Sequence, residues 1–246
     1  MVHTLPDFTT KYRMVKIFAN IDDAELAART HSIDVFDRRG NVVWYDDFDV
    51  ADTRDMPKWV TGGDGTGNAQ SINSLCTFLG KYSLQFTAGS DGNLWGWMER
   101  HFPLPISTRM GIEFIFSPSD YFDHAMFTLD IFDGTTEYYA SIQVDFVNQR
   151  LLIYDMSTFD YVPLMNYSID RTGKIFYHLK FVVDFGTKQY VRLMFANQEV
   201  DISGYDIVVN PLPAYQFVDV RMDFIGEVGH NGLMYVGGVI LTNYEP

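Results

Sequence analysis

From residue 32 onward this chain repeats a period of two, in short segments broken by turn residues. Tyr82, Leu84 and Phe86 alternate with other residues, and so do Met110, Ile112, Phe114 and Phe116. Phe127, Leu129 and Ile131 form the next set, followed by Ala140, Ile142, Val144 and Phe146. The pattern resumes through Ile175, Tyr177, Leu179, Phe181 and Val183, then Val191, Leu193 and Phe195, then Val218, Val220, Met222 and Phe224, and closes on Leu233–Leu241. Successive strand side chains point to opposite faces, so each segment offers one apolar face to a core. Arg38-Arg39-Gly40-Asn41, Val147-Asn148-Gln149-Arg150 and Gly186-Thr187-Lys188 carry turn chemistry between segments. No helical pattern of comparable length intervenes, which disfavours βαβ folds. About eleven or twelve short strands at this spacing predict an all-β, two-sheet antiparallel sandwich. Residues 46–70 are rich in Asp and Gly and read as a loop. Gly62-Gly63-Asp64-Gly65-Thr66-Gly67 lacks the Gly-Lys-Ser/Thr ending and the following helix of a phosphate cradle, so it reads as a flexible loop.

Residues 1–31 differ. Asn20–Arg29 contains Asp22 and Glu25 at capping-box spacing, followed by Leu26, Ala27 and Ala28, and predicts a short helix. The expected organisation is an N-terminal arm with a short helix over 1–31 and a sandwich over 32–246. A helix of about ten residues is marginal alone and must dock on something. Tyr12, Met14, Ile17, Phe18 and Leu26 are the apolar residues with which the arm would do so.

The 246 residues carry 18 basic and 32 acidic side chains, a net charge of −14. That balance repels phosphate backbones and anionic lipid, so neither nucleic acid nor a membrane is an expected partner. No apolar run approaches the roughly 18 residues of a membrane span. The segment Met1-Val-His-Thr-Leu-Pro-Asp7 lacks the basic and apolar regions of a signal peptide, so synthesis in a cytoplasm is expected, with a virion surface as a destination reached by another route. Cys76 is the single cysteine, which excludes an intrachain disulfide framework.

Three local features carry a resemblance. They are Asp46-Asp47-Phe48-Asp49 with Lys58-Trp59; Gly80-Lys81-Tyr82-Ser83-Leu84-Gln85-Phe86-Thr87 followed by Trp95-Gly96-Trp97-Met98 and Phe102-Pro103; and Met234-Tyr235-Val236-Gly237-Gly238-Val239-Ile240-Leu241. In order and spacing, over 46–246, the chain resembles the concanavalin-like or laminin-G-like jelly rolls, which include carbohydrate-binding modules and many proteins of environmental and phage origin. The resemblance implies a jelly-roll sandwich more than a function. It also implies a structural calcium held in part by an acidic pair on the last strand. Gly237 and Gly238 stand there instead, so no metal is expected, although Asp47 and Asp49 lie in acidic loops.

Glycoside hydrolysis needs two carboxyls flanking the scissile bond. The nearest match to a glucanase strand is Thr128-Leu129-Asp130-Ile131-Phe132-Asp133-Gly134, where Leu129 replaces a wanted carboxylate. Asp130 and Asp133 are three apart, which aims them at opposite faces; Asp130 reads as solvent-facing and Asp133 as a turn residue. Glu113 reads as a polar-face residue. His3, His31, His101, His124, His178 and His230 lack zinc-site spacing and read as surface or turn histidines. No Gly-x-Ser-x-Gly elbow is present. No catalytic residue and no cofactor is therefore expected.

Trp95-Gly96-Trp97 is the candidate ligand site. The two indoles share one strand face, with Gly96 leaving the other face bare, and Asn93, Glu99 and His101 border them. They either form a platform for a sugar ring or partner protein, or pack in the interior. These readings point to a non-catalytic structural or accessory protein, a surface (decoration) subunit of a virion or other large assembly and a homo-oligomer through its arm. A carbohydrate-binding module with a glycan partner is the alternative, and a glycoside hydrolase or lyase the third reading.

Overall fold

The computed structural model describes residues 39–48, 59–64, 67–78, 81–90, 95–104, 107–119, 121–212 and 216–246. The arm and its expected helix lie outside these residues. Among the described residues there are sixteen strands and no helix, so none long and apolar enough to cross a membrane. In chain order they are β1 (Asn41–Asp46), β2 (Val60–Gly63), β3 (Ala69–Asn73), β4 (Ser83–Ala88), β5 (Trp95–Phe102), β6 (Arg109–Pro118), β7 (Phe122–Asp133) and β8 (Thr136–Asp145). They continue as β9 (Arg150–Asp155), β10 (Asp160–Asn166), β11 (Tyr177–Asp184), β12 (Gln189–Phe195), β13 (Gln198–Asp201), β14 (Val208–Pro211), β15 (Gln216–Gly226) and β16 (Gly232–Asn243).

The strands form two antiparallel sheets. The first runs β13-β12-β11-β6-β16-β4-β3, with β1 also paired to β16. The second runs β10-β9-β8-β7-β15-β5-β2, with β14 paired to β8. Their inner faces meet through the residues that the period of two singles out. Phe86 and Phe224 touch across the sheets with ring centroids 4.3 Å apart, and Phe127 lies 4.8 Å from Phe114 and 4.9 Å from Phe116. Each such ring is fully buried and contributes about 1.5–3 kcal/mol. Gly96 belongs to this core: a side chain on it would overlap the Phe224 ring, so the face behind the two tryptophans is filled rather than bare.

The segment read as loop between residues 46 and 70 contains β2 and the start of β3. Val60 to Gly63 pair with Glu99 to Gly96, and Ala69 to Asn73 pair with Thr87 to Ser83. Both are short strands at sheet ends, where no second apolar face has to be buried, so their sequences carry no alternation. Gly62 is not a flexible hinge. It lies beneath the Trp97 indole, which any side chain at that position would strike. The acidic motif at the sandwich end is structural: Asp46 accepts a hydrogen bond from Trp59 Nε1 at 3.0 Å, and Phe48 and Trp59 are buried.

Two polar residues expected at the surface are covered instead. Glu113 faces away from the main core, as alternation requires, but is buried against His178, whose Nδ1 is 3.1 Å from its Oε1. His178 is therefore neither a surface nor a turn histidine. The outer face of the first sheet also holds Lys180, 2.7 Å from Glu245, so it is not simply a solvated polar face.

One side chain ties the layers together. Tyr190 of β12, fully buried, accepts the Ser141 N–H at 2.9 Å and donates to the Tyr154 carbonyl at 3.0 Å, in β8 and β9 of the opposite sheet. Tyr190→Phe leaves the buried Ser141 N–H without this acceptor and is expected to cost about 1–3 kcal/mol. Urea unfolding should show a lower midpoint with an unchanged slope.

Candidate functional site

The second sheet turns its other face outward, and there β5, β7, β8 and β15 form a groove of about 570 Å³. Pairing fixes its floor in rows. Tyr139, Asp130, Asp219 and His101 lie side by side across four strands. The next row on this face is Ser141, Thr128, Arg221 and Glu99, and the one after is Gln143, Met126, Asp223 and Trp97. From Trp95 to His101 the floor runs about 20 Å along the strands.

Aromatic rings bound the acidic floor. Phe132, Phe217 and His101 stack in succession with centroids 4.5 Å apart at each step. Toward the other end, Trp95 meets the His124 ring edge-on at 5.9 Å, and the Arg221 guanidinium lies 5.0 Å from the centre of the Trp97 ring. Tyr139 and Tyr161 close one flank, with Tyr161 Oη 2.8 Å from Ser141 Oγ.

Between these rings sit groups that water does not reach freely. Asp130, Asp219 and Asp223 are all buried. Asp223 is answered by Arg221, whose Nε reaches its two oxygens at 3.0 and 2.9 Å. Arg221 Nη1 also reaches Glu99 Oε2 at 3.3 Å. Asp130 Oδ1 and Asp219 Oδ1, in contrast, find no hydrogen-bond partner among the described residues. Burial pushes the Asp130 carboxyl up to about 8, helped by the charges of Glu137 and Asp219 and opposed by Arg221. Burial likewise takes Asp219 to about 7, with Glu99 and Asp223 adding to it and Arg221 opposing. At Arg221 burial works against the charge, but the hydrogen bonds and charges of Asp223, with Glu99 and Asp219, outweigh it and raise its pKa.

Of the residues singled out in the sequence, the structure brings Trp95, Glu99 and His101 to this groove. Trp97 shares their face but is sandwiched between Gly62 and Arg221, so it supports the floor rather than lying bare. Asn93 and the arm residues Tyr12, Met14, Ile17, Phe18 and Leu26 lie outside the described residues. Asp130 requires a correction: it is on the outer face, but its neighbours leave it 8% exposed rather than solvent-facing. Asp133 is the turn residue, accepting the Thr135 and Thr136 N–H groups at 2.8 Å each. The glycine pair on β16 has its own packing reason, since a side chain on Gly237 would overlap Phe78. Sequence reasoning passed over Asp219, Arg221 and Asp223. Their signal was the acid–base–acid alternation between the core residues Val218, Val220, Met222 and Phe224.

No family model and no curated protein matches this sequence. Among solved structures, the chain is similar to the cellulose induced protein Cip1, with a TM-score of 0.54 and 12% identity over 81% of this chain and 96% of that one. It is also similar to the lectin UEA-II complexed with galactose (TM-score 0.49, 13% identity, 82% and 99% coverage). A third is the Bacteroides ovatus mixed linkage glucan GH16 protein in complex with its product (0.47, 10%, 81% and 100%). The fold is the concanavalin-like jelly roll that the sequence resemblance implied. The fold by itself assigns neither binding nor catalysis.

Asp130 also sets a pH dependence. Its carboxyl stands above the ordinary value of 3.8 in the folded chain, so its contribution to stability is fully present below that value and is lost as pH rises through about 8. Asp130→Asn removes this loss. Each unit of pKa difference corresponds to about 1.4 kcal/mol, so the variant's stability relative to the parent should improve by more than about 1 kcal/mol between roughly pH 4 and pH 8. Urea unfolding at the two pH values measures this, and a constant difference would contradict it.

Proposed function

We propose that the chain binds a glycan in the groove on the second sheet. The observation that carries this reading is the groove of about 570 Å³, with Asp130, Asp219 and Arg221 on its floor and the rings of Trp95, Phe132 and Phe217 along its sides. Carboxyl and guanidinium groups on such a floor pair with the hydroxyl groups of a ligand that enters the groove. Sugars supply those hydroxyls at their rims and apolar C–H faces for rings such as Trp95, Phe132 and Phe217. A groove with a few converging polar groups and aromatic sides is the usual form of such sites. The reading as an assembly subunit drew on the arm residues, which lie outside the described residues; the groove supports the glycan reading in its place.

A glycan array, followed by calorimetry on the best soluble oligosaccharide, tests this. The full chain should bind at least one glycan. Trp95→Ala should weaken binding by about 1 kcal/mol, roughly fivefold, with the fold retained. Asp219→Asn should weaken it as well, because a carboxyl acceptor is replaced by an amide. Signals at background across the array from folded protein would overturn the proposal. Release of new reducing ends from the bound glycan, abolished by Asp130→Asn, would make the groove that of a hydrolase.

A further inference from the structure

The aromatic end of the groove holds a second arrangement, assayable without any sugar. Glu99, His101 and Asp219 each present one ligand-type atom, and these atoms lie within 4.8 Å of one another. His101 Nε2 is the apex, 3.6 Å from Glu99 Oε1 and 3.8 Å from Asp219 Oδ1. Glu99 and His101 are two apart on β5 and so share a face, and Asp219 is the residue paired with His101 on β15. We propose that these three side chains form a binding site for a divalent first-row transition-metal ion, Zn²⁺ being the ion that best suits the donor set.

Several features of the three residues support a ligand there rather than a chance cluster of acids. Asp219 is 7% exposed, and its Oδ1, the atom facing His101, has no hydrogen-bond partner among the described residues. Glu99 is already oriented: Arg221 Nη1 engages Oε2 at 3.3 Å, which leaves Oε1 toward His101. Outer partners of this kind commonly hold metal-ligating carboxylates in place. The His101 ring is braced against Phe217 at 4.5 Å yet is half exposed, so Nε2 can close a few tenths of an ångström.

The geometry and donors select the ion. Metal–ligand bonds of about 2.0–2.2 Å at tetrahedral angles separate neighbouring ligand atoms by about 3.4 Å, close to the two distances from Nε2. One imidazole with two carboxylates suits zinc, manganese or cobalt, whereas calcium favours an all-oxygen shell. Three protein ligands would leave the ion a coordination position for water or another ligand. Arg221 is the nearby cation, and its charge is engaged by the two oxygens of Asp223.

The test uses the full chain, stripped with a chelator and titrated with ZnCl₂ by calorimetry, with CoCl₂ followed by visible absorption and CaCl₂ for comparison. One equivalent of Zn²⁺ should bind, more tightly than Ca²⁺, and Co²⁺ should develop absorption typical of a low-symmetry N,O site. His101→Ala, a half-exposed change that leaves the core intact, should weaken Zn²⁺ binding by at least about tenfold, and Glu99→Gln should do the same. Thermal melting of the parent, but not of His101→Ala, should rise with added Zn²⁺. Failure of millimolar Zn²⁺ to bind, or binding undiminished in both variants, would overturn the site. No sugar is present in the titration, so it is read apart from the glycan array; Zn²⁺ on Asp219 would take one acceptor from the groove and leave Asp130 and the aromatic walls to the glycan reading.

Discussion

Everything that distinguishes the groove depends on the registration of β15 between β7 and β5. Phe224 is wedged between Phe86 of the opposite sheet and the bare backbone of Gly96. With that ring in place, Met222, Val220 and Val218 must also point inward, and Asp223, Arg221 and Asp219 must point out. Slipping the strand by one residue would drive two aspartates and an arginine into the sandwich and expose the core residues, at a cost no single contact could offset. The apolar packing that stabilises the fold is thus what places acidic groups shoulder to shoulder on the other side of the same strand.

Both outer faces bury charge. On the first sheet Lys180 and Arg192 both reach Glu245, and Glu113 meets His178. On the second, Arg221 answers Asp223 and Glu99, while one oxygen each of Asp130 and Asp219 is left over. Removing a partner from a buried polar group is costly, and folds do not sustain such atoms for stability. Rigid strands that hold unsatisfied groups in a groove are preorganised for a ligand that supplies what is missing.

Much of the architecture was legible from the period of two, because a half-buried strand writes its inner face directly into the chain. The inner residues of β4, β6, β7, β11 and β15 came from that signal; in β12 Leu193 and Phe195 did, but an irregularity in its pairing with β11 puts Tyr190 in the core in place of the expected Val191. What stayed hidden is instructive. β2 and β3 have no apolar alternation, since an edge strand gains its place through backbone pairing and through contacts such as Gly62 under Trp97. Trp95, Glu99 and His101 were readable as one face because they lie on one strand. Asp219, Arg221 and Asp223 were not, because nothing local reveals that β15 lies beside β5 and β7, more than a hundred and more than eighty residues away in sequence. Asp130 was placed on the correct face, but its burial is a property of neighbours that sequence does not specify.

The order of pairing has a consequence for how the chain is made. β16 is flanked by β6 on one side and by β4 and β1 on the other, and β15 lies between β7 and β5. Each of these central strands follows all of its partners in the chain. As a ribosome releases the polypeptide, β1 to β14 emerge with a gap in the middle of both sheets, and neither apolar face can be sealed. Such late, non-local closure is slow and leaves strand edges open to other chains in the meantime. Closure of the sandwich therefore waits for β15 and β16, and until both have emerged the parts of each sheet have no strand to join them.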